Sequence, residues 1–348
     1  MVPHTLSHVS ARKLMALAAS ELDVRFPSSS ARGFPSVIQL EPTNLCNLRC
    51  PLCASGIKAF TRPTGMMDIE VFKGIIDEIG HSLSLLVLWD WGEPFIHPDI
   101  FRMIRYARQR NVAVITSSNG QLIASPDAAR EIVASGLDTL AVAMDGACQE
   151  TYAKYRVGGT LDNVLKCLSN VREAKREANV DHPILNVRVV VTRENESELD
   201  EIKRLAEDNG ADILTFRSVS MPKYCGENLD SVYAPENPAY QMYQYAGDGL
   251  DRVKAPKFSC RRPWKRITIN WDGTIVGCEH DYDHTSPFGR YPHDGSVMDI
   301  YNSERAREFR GRFLRNKDQY SFCGDCTYND RVTQDCTVGR MDFRRINP

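Results

Sequence analysis

No stretch of this 348-residue chain stays apolar long enough to span a membrane or to serve as a secretory core. The nearest approach, Leu14 to Ala19, follows Arg12 and Lys13 but is cut short by Glu21 and Asp23. A surplus of positive charge is missing too. The 43 Lys and Arg face 45 Asp and Glu, a formal net charge of -2, so no global basic field invites nucleic acid. There is no internal repeat, which excludes a stacked-repeat architecture. What remains is expected to be a cytoplasmic chain, 42% apolar and 25% charged, able to bury one large core or two smaller ones. Its eleven cysteines, with no export signal, argue for metal ligation rather than a disulfide framework, because reducing cytosol keeps thiols free.

Short β-branched runs alternate with helical periodicity from Ser36 to about Val219. Strands are expected at Val37 to Leu40, Leu85 to Leu88, Val112 to Thr116, Thr139 to Met144, Leu185 to Thr192 and Ile213 to Phe216. Between them, Ile69 to Ile79, Ile100 to Arg108, Ala128 to Ala134, Leu161 to Arg176 and Glu198 to Asn209 read as helices. Repeated βα units imply an α/β fold of parallel strands, here a partial (β/α)6 barrel with its active site at the C-terminal strand ends. After Met221 a Pro-, Tyr- and Asn-rich stretch reads as a linker. Arg266 to Asn270 and Thr274 to Cys278 then flank Trp271-Asp272-Gly273, a hairpin signal, and Met298 to Phe313 reads as a helix. The expected organisation is a helical extension over 1–35, the barrel over 36–221, the linker over 222–257 and a small α+β domain over 258–348.

Cys46, Cys50 and Cys53 lie directly after the first strand in Glu-Pro-Thr-Asn-Leu-Cys-Asn-Leu-Arg-Cys-Pro-Leu-Cys. Zinc wants four ligands, and no fourth Cys or His follows in this loop; the next histidines are His81 and His97. The spacing CxxxCxxC resembles the signature of the radical S-adenosylmethionine (SAM) superfamily. Membership implies a 4Fe-4S cluster on three thiolates, with one iron left open for SAM. Later motifs fall in the order this family has them. Trp91-Gly92-Glu93-Pro94 resembles its Gly-Gly-Glu, with Trp91 in place of the first Gly. Ser117-Ser118-Asn119-Gly120 resembles Thr-Asn-Gly, and Met144-Asp145-Gly146 resembles Ser-Leu-Asp-Gly with Ala143 in the Ser position. The resemblance implies that Gly92 and Glu93 meet the amino group of SAM, that Asn119 lies near its ribose, that Asp145 belongs to the same site, and that Leu52 packs on adenine. Tyr152 to Gly159 is similar to the family's Tyr-x-x-x-Arg-x-Gly-Gly, which makes Arg156 a clamp for the SAM carboxylate.

Cys260, Gly273 with Cys278 five residues on, and Cys323-x-x-Cys326 resemble the shortened SPASM arrangement called a twitch domain, which implies one auxiliary 4Fe-4S cluster. A four-cysteine zinc site built from two halves is the alternative for this set, and Cys336 could replace one of its ligands. The implied chemistry is cleavage of SAM to a 5'-deoxyadenosyl radical that takes hydrogen from a substrate. It leads to oxidation or epimerisation of a carbohydrate- or aminocyclitol-like intermediate, as in twitch enzymes of antibiotic biosynthesis. Among the spare thiols, Cys148 and Cys225 follow strands and are candidate hydrogen donors, while Cys167 sits in an apolar stripe and reads as core. Glu279, in Glu279-His280-Asp281, is a candidate base. Arg305, Arg307, Arg310, Arg312, Arg315 and Lys317 could dock an acidic electron donor such as flavodoxin or ferredoxin. The partner expected at the site is a small molecule, with neither nucleic acid nor membrane. A peptide-modifying enzyme and a zinc-binding scaffold without redox chemistry remain the alternatives.

Overall fold

The structure is a computed structural model and describes residues 10–246, 251–253, 259–324, 326–329 and 336–344. Residues 1–9 of the expected extension, 247–250 and 254–257 of the expected linker, and 258, 325, 330–335 and 345–348 of the expected C-terminal domain lie outside it.

Six parallel strands form in chain order: β1 (Val37–Leu40), β2 (Leu85–Val87), β3 (Ala113–Ser118), β4 (Thr139–Ala143), β5 (Ile184–Val191) and β6 (Ile213–Ser218). Their period of two decides which face each residue takes. Ile38, Leu40, Leu86, Val114, Leu140, Val142, Leu185, Val187, Val189 and Leu214 join the outer core, and the alternate residues line the interior. The helices Ile69–Ile79, Ile100–Gln109, Pro126–Ala134, Leu161–Ala178 and Leu199–Asp208 close over that outer face with Ile75, Ile104, Ile132, Leu168 and Ile202. Each large apolar side chain buried this way contributes roughly 1.5–3 kcal/mol. Helix starts match local chemistry: Asp68 accepts from the amides of Glu70 and Val71, and Ser125 from that of Ala128.

The C-terminal residues extend this sheet rather than standing apart. β7 (Ile267–Ile269) pairs parallel with β1, β8 (Thr274–Val276) and β9 (Gly289–Arg290) follow antiparallel, and β10 (Thr337–Asp342) pairs antiparallel with β6. The sheet therefore runs β10-β6-β5-β4-β3-β2-β1-β7-β8-β9. Trp264, Ile267, Ile275, Phe309 and Phe313 belong to the same core as the barrel. The linker folds across the barrel mouth. Its Ala234, Met242 and Tyr243 pack with Leu52, Val219, Met221 and Cys336.

Two expectations change, and one helix forms where a helical extension is expected. The helix expected over Met298 to Phe313 is two helices, Val297–Tyr301 and Glu304–Arg315, because Ser303 breaks it by capping the amide of Ala306. Arg310 does not join a solvent-facing basic run: it is fully buried and donates to the carbonyls of Ser29 and Tyr301. The segment before the first strand carries the helix Ala11–Arg25, whose Asp23 accepts from the amides of Arg32 and Gly33. Among the described residues no helix is long and apolar enough to cross a membrane.

Candidate active site

The loop after β1 is stapled before it presents its cysteines. Glu41 receives the Arg62 guanidinium in fork geometry at 2.6 and 2.9 Å, both side chains buried. Asn44 donates to the Pro63 carbonyl and accepts from the Gly65 amide at 2.9 Å, while Thr43 donates to the Gly65 carbonyl at 2.6 Å. Within the loop the Cys53 amide donates to the Cys50 carbonyl, and a Cβ on Gly56 would come within 2.3 Å of that same oxygen. The winding is thus tight enough to require glycine. Backbone and side-chain donors face the sulfurs: the Leu48 amide lies 3.5 Å from Cys46 Sγ, and Arg156 Nη1 lies 3.7 Å from Cys50 Sγ. Burial pushes the Cys46 thiol up to about 11, with the Glu93, Cys53 and Cys50 charges adding to it. Thiols grouped this closely ionise only against a cation, and three soft donors suit an iron–sulfur cluster.

The residues expected to hold SAM gather around this loop. Gly92 has φ +84°, and a Cβ there would meet the Thr43 and Leu45 carbonyls at 2.5 and 2.7 Å, so backbone passes directly against the cysteine loop. Glu93 is buried and accepts from Ser118 Oγ at 2.9 Å and the Asn119 amide at 2.7 Å. Burial outweighs these donors and raises its carboxyl to about 7. Asn119 Nδ2 donates to Asn47 Oδ1 at 2.8 Å. Arg156 ion-pairs with Asp145, which also accepts from the Val190 amide at 2.6 Å. Leu52 turns into the apolar cap made by the linker.

Cys260, Cys278, Cys323 and Cys326 line one small cavity together with Arg262, His280, Lys317 and Phe322. The Arg262 amide donates to Cys260 Sγ, and the Cys326 amide to the Cys323 carbonyl. Four converging thiols fit an auxiliary cluster by donor chemistry. Among the described residues, no three His, Cys, Asp or Glu side chains take the arrangement that holds a single metal ion. Glu279, expected as a base, is instead bound by Arg262 at 2.8 Å and Arg266 at 2.9 Å. Burial would raise its carboxyl, but the two guanidiniums prevail and hold it well below the usual range. It is a committed counter-ion, a poor proton acceptor.

Two groups escaped sequence reasoning. Trp91 Nε1 donates to the Glu279 carbonyl at 3.2 Å, and its ring meets Phe60 and Tyr282 edge-on at 6.1 and 5.9 Å, with Tyr224 5.0 Å beyond Tyr282. This aromatic wall ties the turn before Gly92 to the segment just after Cys278; its signal was the tryptophan in a glycine's place. Arg188 and Arg217 occupy the interior face of β5 and β6, and their signal was a charge inside a predicted strand.

The spare thiols separate cleanly. Cys225 sits on the turn Lys223–Cys225 against the Leu52 cap, and burial, then the Cys53 charge, pushes its thiol up to about 12. Cys148 is exposed beside Thr151 and Glu198 and is not brought to the site, because the helix it caps points it outward. Cys167 is buried core. Cys336 is not with the auxiliary cysteines either: it packs under the linker at the barrel mouth, its sulfur held by Arg217.

The profile of the Radical SAM superfamily matches residues 40–206, and that of SPASM, an iron-sulfur cluster-binding domain, matches residues 260–327. A tungsten-containing aldehyde ferredoxin oxidoreductase cofactor-modifying protein of Pyrococcus furiosus is 29% identical over 84% of this chain and 87% of its own length. The mycofactocin maturase of Mycobacterium tuberculosis is 31% identical over 53% of this chain, but over only 44% of its own length. Among solved structures, Streptococcus suis SuiB bound to precursor peptide SuiA superposes with a TM-score of 0.61 at 14% identity, covering 93% of this chain and 75% of SuiB. That last likeness is one of fold.

Proposed function

The chain belongs to the radical SAM superfamily and carries a SPASM domain, and from that premise we propose that it oxidises a small hydroxylated molecule, of carbohydrate or aminocyclitol type, at an unactivated C–H bond. When bound, a SAM-ligating 4Fe-4S cluster, an auxiliary cluster and SAM supply a 5'-deoxyadenosyl radical, hydrogen abstraction and an acceptor for the substrate's electron. In this reading Cys46, Cys50 and Cys53 hold the first cluster, and Cys260, Cys278, Cys323 and Cys326 the second. Gly92, Glu93 and Asn119 form the bed for SAM, Arg156 stays oriented by Asp145, and Leu52 with the linker's Met242 and Tyr243 excludes water. A small molecule is supported by the cofactor-modifying relative, which matches over most of its length. The maturase's name supports a peptide as the alternative substrate. An acidic donor, flavodoxin or ferredoxin, would meet the exposed Arg305, Arg307, Arg312 and Arg315.

One observation carries oxidation: Trp91, next to Gly92 which packs on the cysteine loop, donates to the carbonyl of Glu279 beside the auxiliary Cys278. A second reading, epimerisation, is favoured by Cys225, whose thiol burial pushes up to about 12 beneath the Leu52 cap and which could return a hydrogen atom. Anaerobic reconstitution with iron and sulfide counting tests the assignment. About eight irons should fall to about four in the Cys46→Ala, Cys50→Ala, Cys53→Ala triple variant, with 5'-deoxyadenosine formation lost. Wild type that forms none under dithionite would end the proposal.

A further inference from the structure

Buried cations in this protein come with carboxylates or, for Lys13 and Arg310, with backbone carbonyls. Arg62 has Glu41, Arg156 has Asp145, and Arg262 and Arg266 share Glu279. Arg188 and Arg217 break that pattern. Leu185, Val187, Val189 and Val191 send their side chains to the outer core, as do Leu214 and Phe216, so the alternate residues Arg188 and Arg217 face the barrel interior. The register sets Arg188 beside Thr215 and Arg217 beside Val190, which puts the two cations on adjacent strands within one layer's reach. Among the described residues neither has a carboxylate within ion-pair distance. Arg188 lies over the Trp89 ring at 5.5 Å. Burial and the repulsion of Arg217 pull its guanidinium down to about 10, with only the Cys336 sulfur acting against them.

Arg217 points both Nε, at 3.1 Å, and Nη2, at 2.6 Å, at the single sulfur of Cys336. That planar fork is the geometry that takes two oxygens of a carboxylate or a phosphate. Thr215 and Asn186, hydrogen-bonded to each other at 3.0 Å, give the interior a polar floor at the same level. The linker cap that covers Cys336 also covers Leu52 of the cysteine loop, so the Arg217 fork on Cys336 lies under the same cap as that loop.

We propose that Arg188 and Arg217 form an oxyanion subsite inside the barrel that seats a carboxylate or phosphate group of the substrate, so the molecule acted on is anionic. This rests on the barrel mouth being the active site. The fork fixes orientation, while Arg188, set over the Trp89 ring, adds charge.

Equilibrium dialysis of the reconstituted full-length protein tests the subsite without turnover. Labelled inorganic phosphate is the probe in one arm, labelled malonate in another, and labelled SAM in a third, all at constant ionic strength set with chloride. One phosphate or malonate per chain is expected, and Arg188→Gln and Arg217→Gln should each weaken it about tenfold or more, with Arg188→Lys retaining part of the affinity. Removing an unpaired buried charge should leave the melting temperature unchanged or higher, so misfolding would not imitate the result. Tighter phosphate than malonate points to a phosphoryl group, and the reverse to a carboxylate. No saturable anion in wild type, equal binding in both Gln variants, or SAM affinity falling in parallel with anion affinity would overturn the subsite. Intact anion binding with no deoxyadenosine would overturn the proposed function alone.

Discussion

Removing Arg62 should expose how strongly the cysteine loop depends on one buried ion pair. Its guanidinium is 5% exposed and makes two bonds to Glu41, which is 0% exposed. It also donates from Nε to the Tyr282 carbonyl and lies 4.8 Å from the Phe60 ring centroid. In Arg62→Ala the Glu41 carboxylate is left buried with only the Trp271 amide, at 3.3 Å, as donor. Stranding one member of such a pair costs about 3–5 kcal/mol. Unfolding entropy near 2.1 cal/mol/K per residue gives about 0.7 kcal/mol/K for this chain, so the melting temperature should drop by about 4–7 °C. The loss should depend on pH in a definite sense. Burial already raises the Glu41 carboxyl, with Arg62 pulling against it, and without Arg62 the folded-state value climbs further above the unfolded one. A carboxyl raised by folding gives up stability as pH rises, because the native state must then hold an unwelcome charge. The deficit should therefore be smaller at pH 5 than at pH 8. Glu41→Gln combined with Arg62→Met should recover most of it, since replacing both partners removes the stranded charge. Thermal melts of the wild type and both variants at both pH values decide the matter. A shift under about 1 °C, a deficit equal at both pH values, or no recovery in the double variant would refute the reasoning.

Three further outcomes are expected. Cys336→Ala should leave the iron content of the reconstituted protein unchanged while Cys278→Ala lowers it by about half, because only Cys278 faces the auxiliary cavity; equal losses by iron analysis would return Cys336 to the ligand set. Glu279→Gln should destabilise by about 2–4 kcal/mol at pH 7 by leaving Arg262 and Arg266 together without an anion. Since folding lowers the Glu279 carboxyl, its contribution is full above the unfolded value near about 4.3 and fades as pH falls below it, so wild type and variant melts should converge in acid. Trp91→Gly should keep deoxyadenosine formation but slow reoxidation of the substrate radical, read as a higher ratio of deoxyadenosine to oxidised product; an unchanged ratio removes the aromatic wall from the electron path.

Features that depend on near neighbours along the chain were legible without a structure. Cys46, Cys50 and Cys53 fall within eight residues, so their loop is set by local winding around Gly56 and by the strand before it. The six strands could be read because side chains alternate with a period of two, and the helix Ile69–Ile79 because Asp68 caps it and its apolar positions recur once per turn. The four auxiliary cysteines were grouped by their resemblance to the twitch arrangement around the Asp272-Gly273 turn. Other assignments depend on which distant segments meet. Glu279 looked like a base until the fold delivered Arg262 and Arg266 to it, and Cys336 could have replaced a ligand until β10 paired with β6 and carried it to the barrel mouth. Cys148 and Cys225 both follow strands, yet one helix start turns the first outward while the linker folds the second inward. Arg188 and Arg217 are 29 positions apart and become one feature only when their strands pair. Periodicity and capping are imposed by covalent geometry over a few residues, so sequence carries them. The charge a carboxylate or guanidinium meets is decided by chain closure over tens to hundreds of residues, and only the packed tertiary structure determines it.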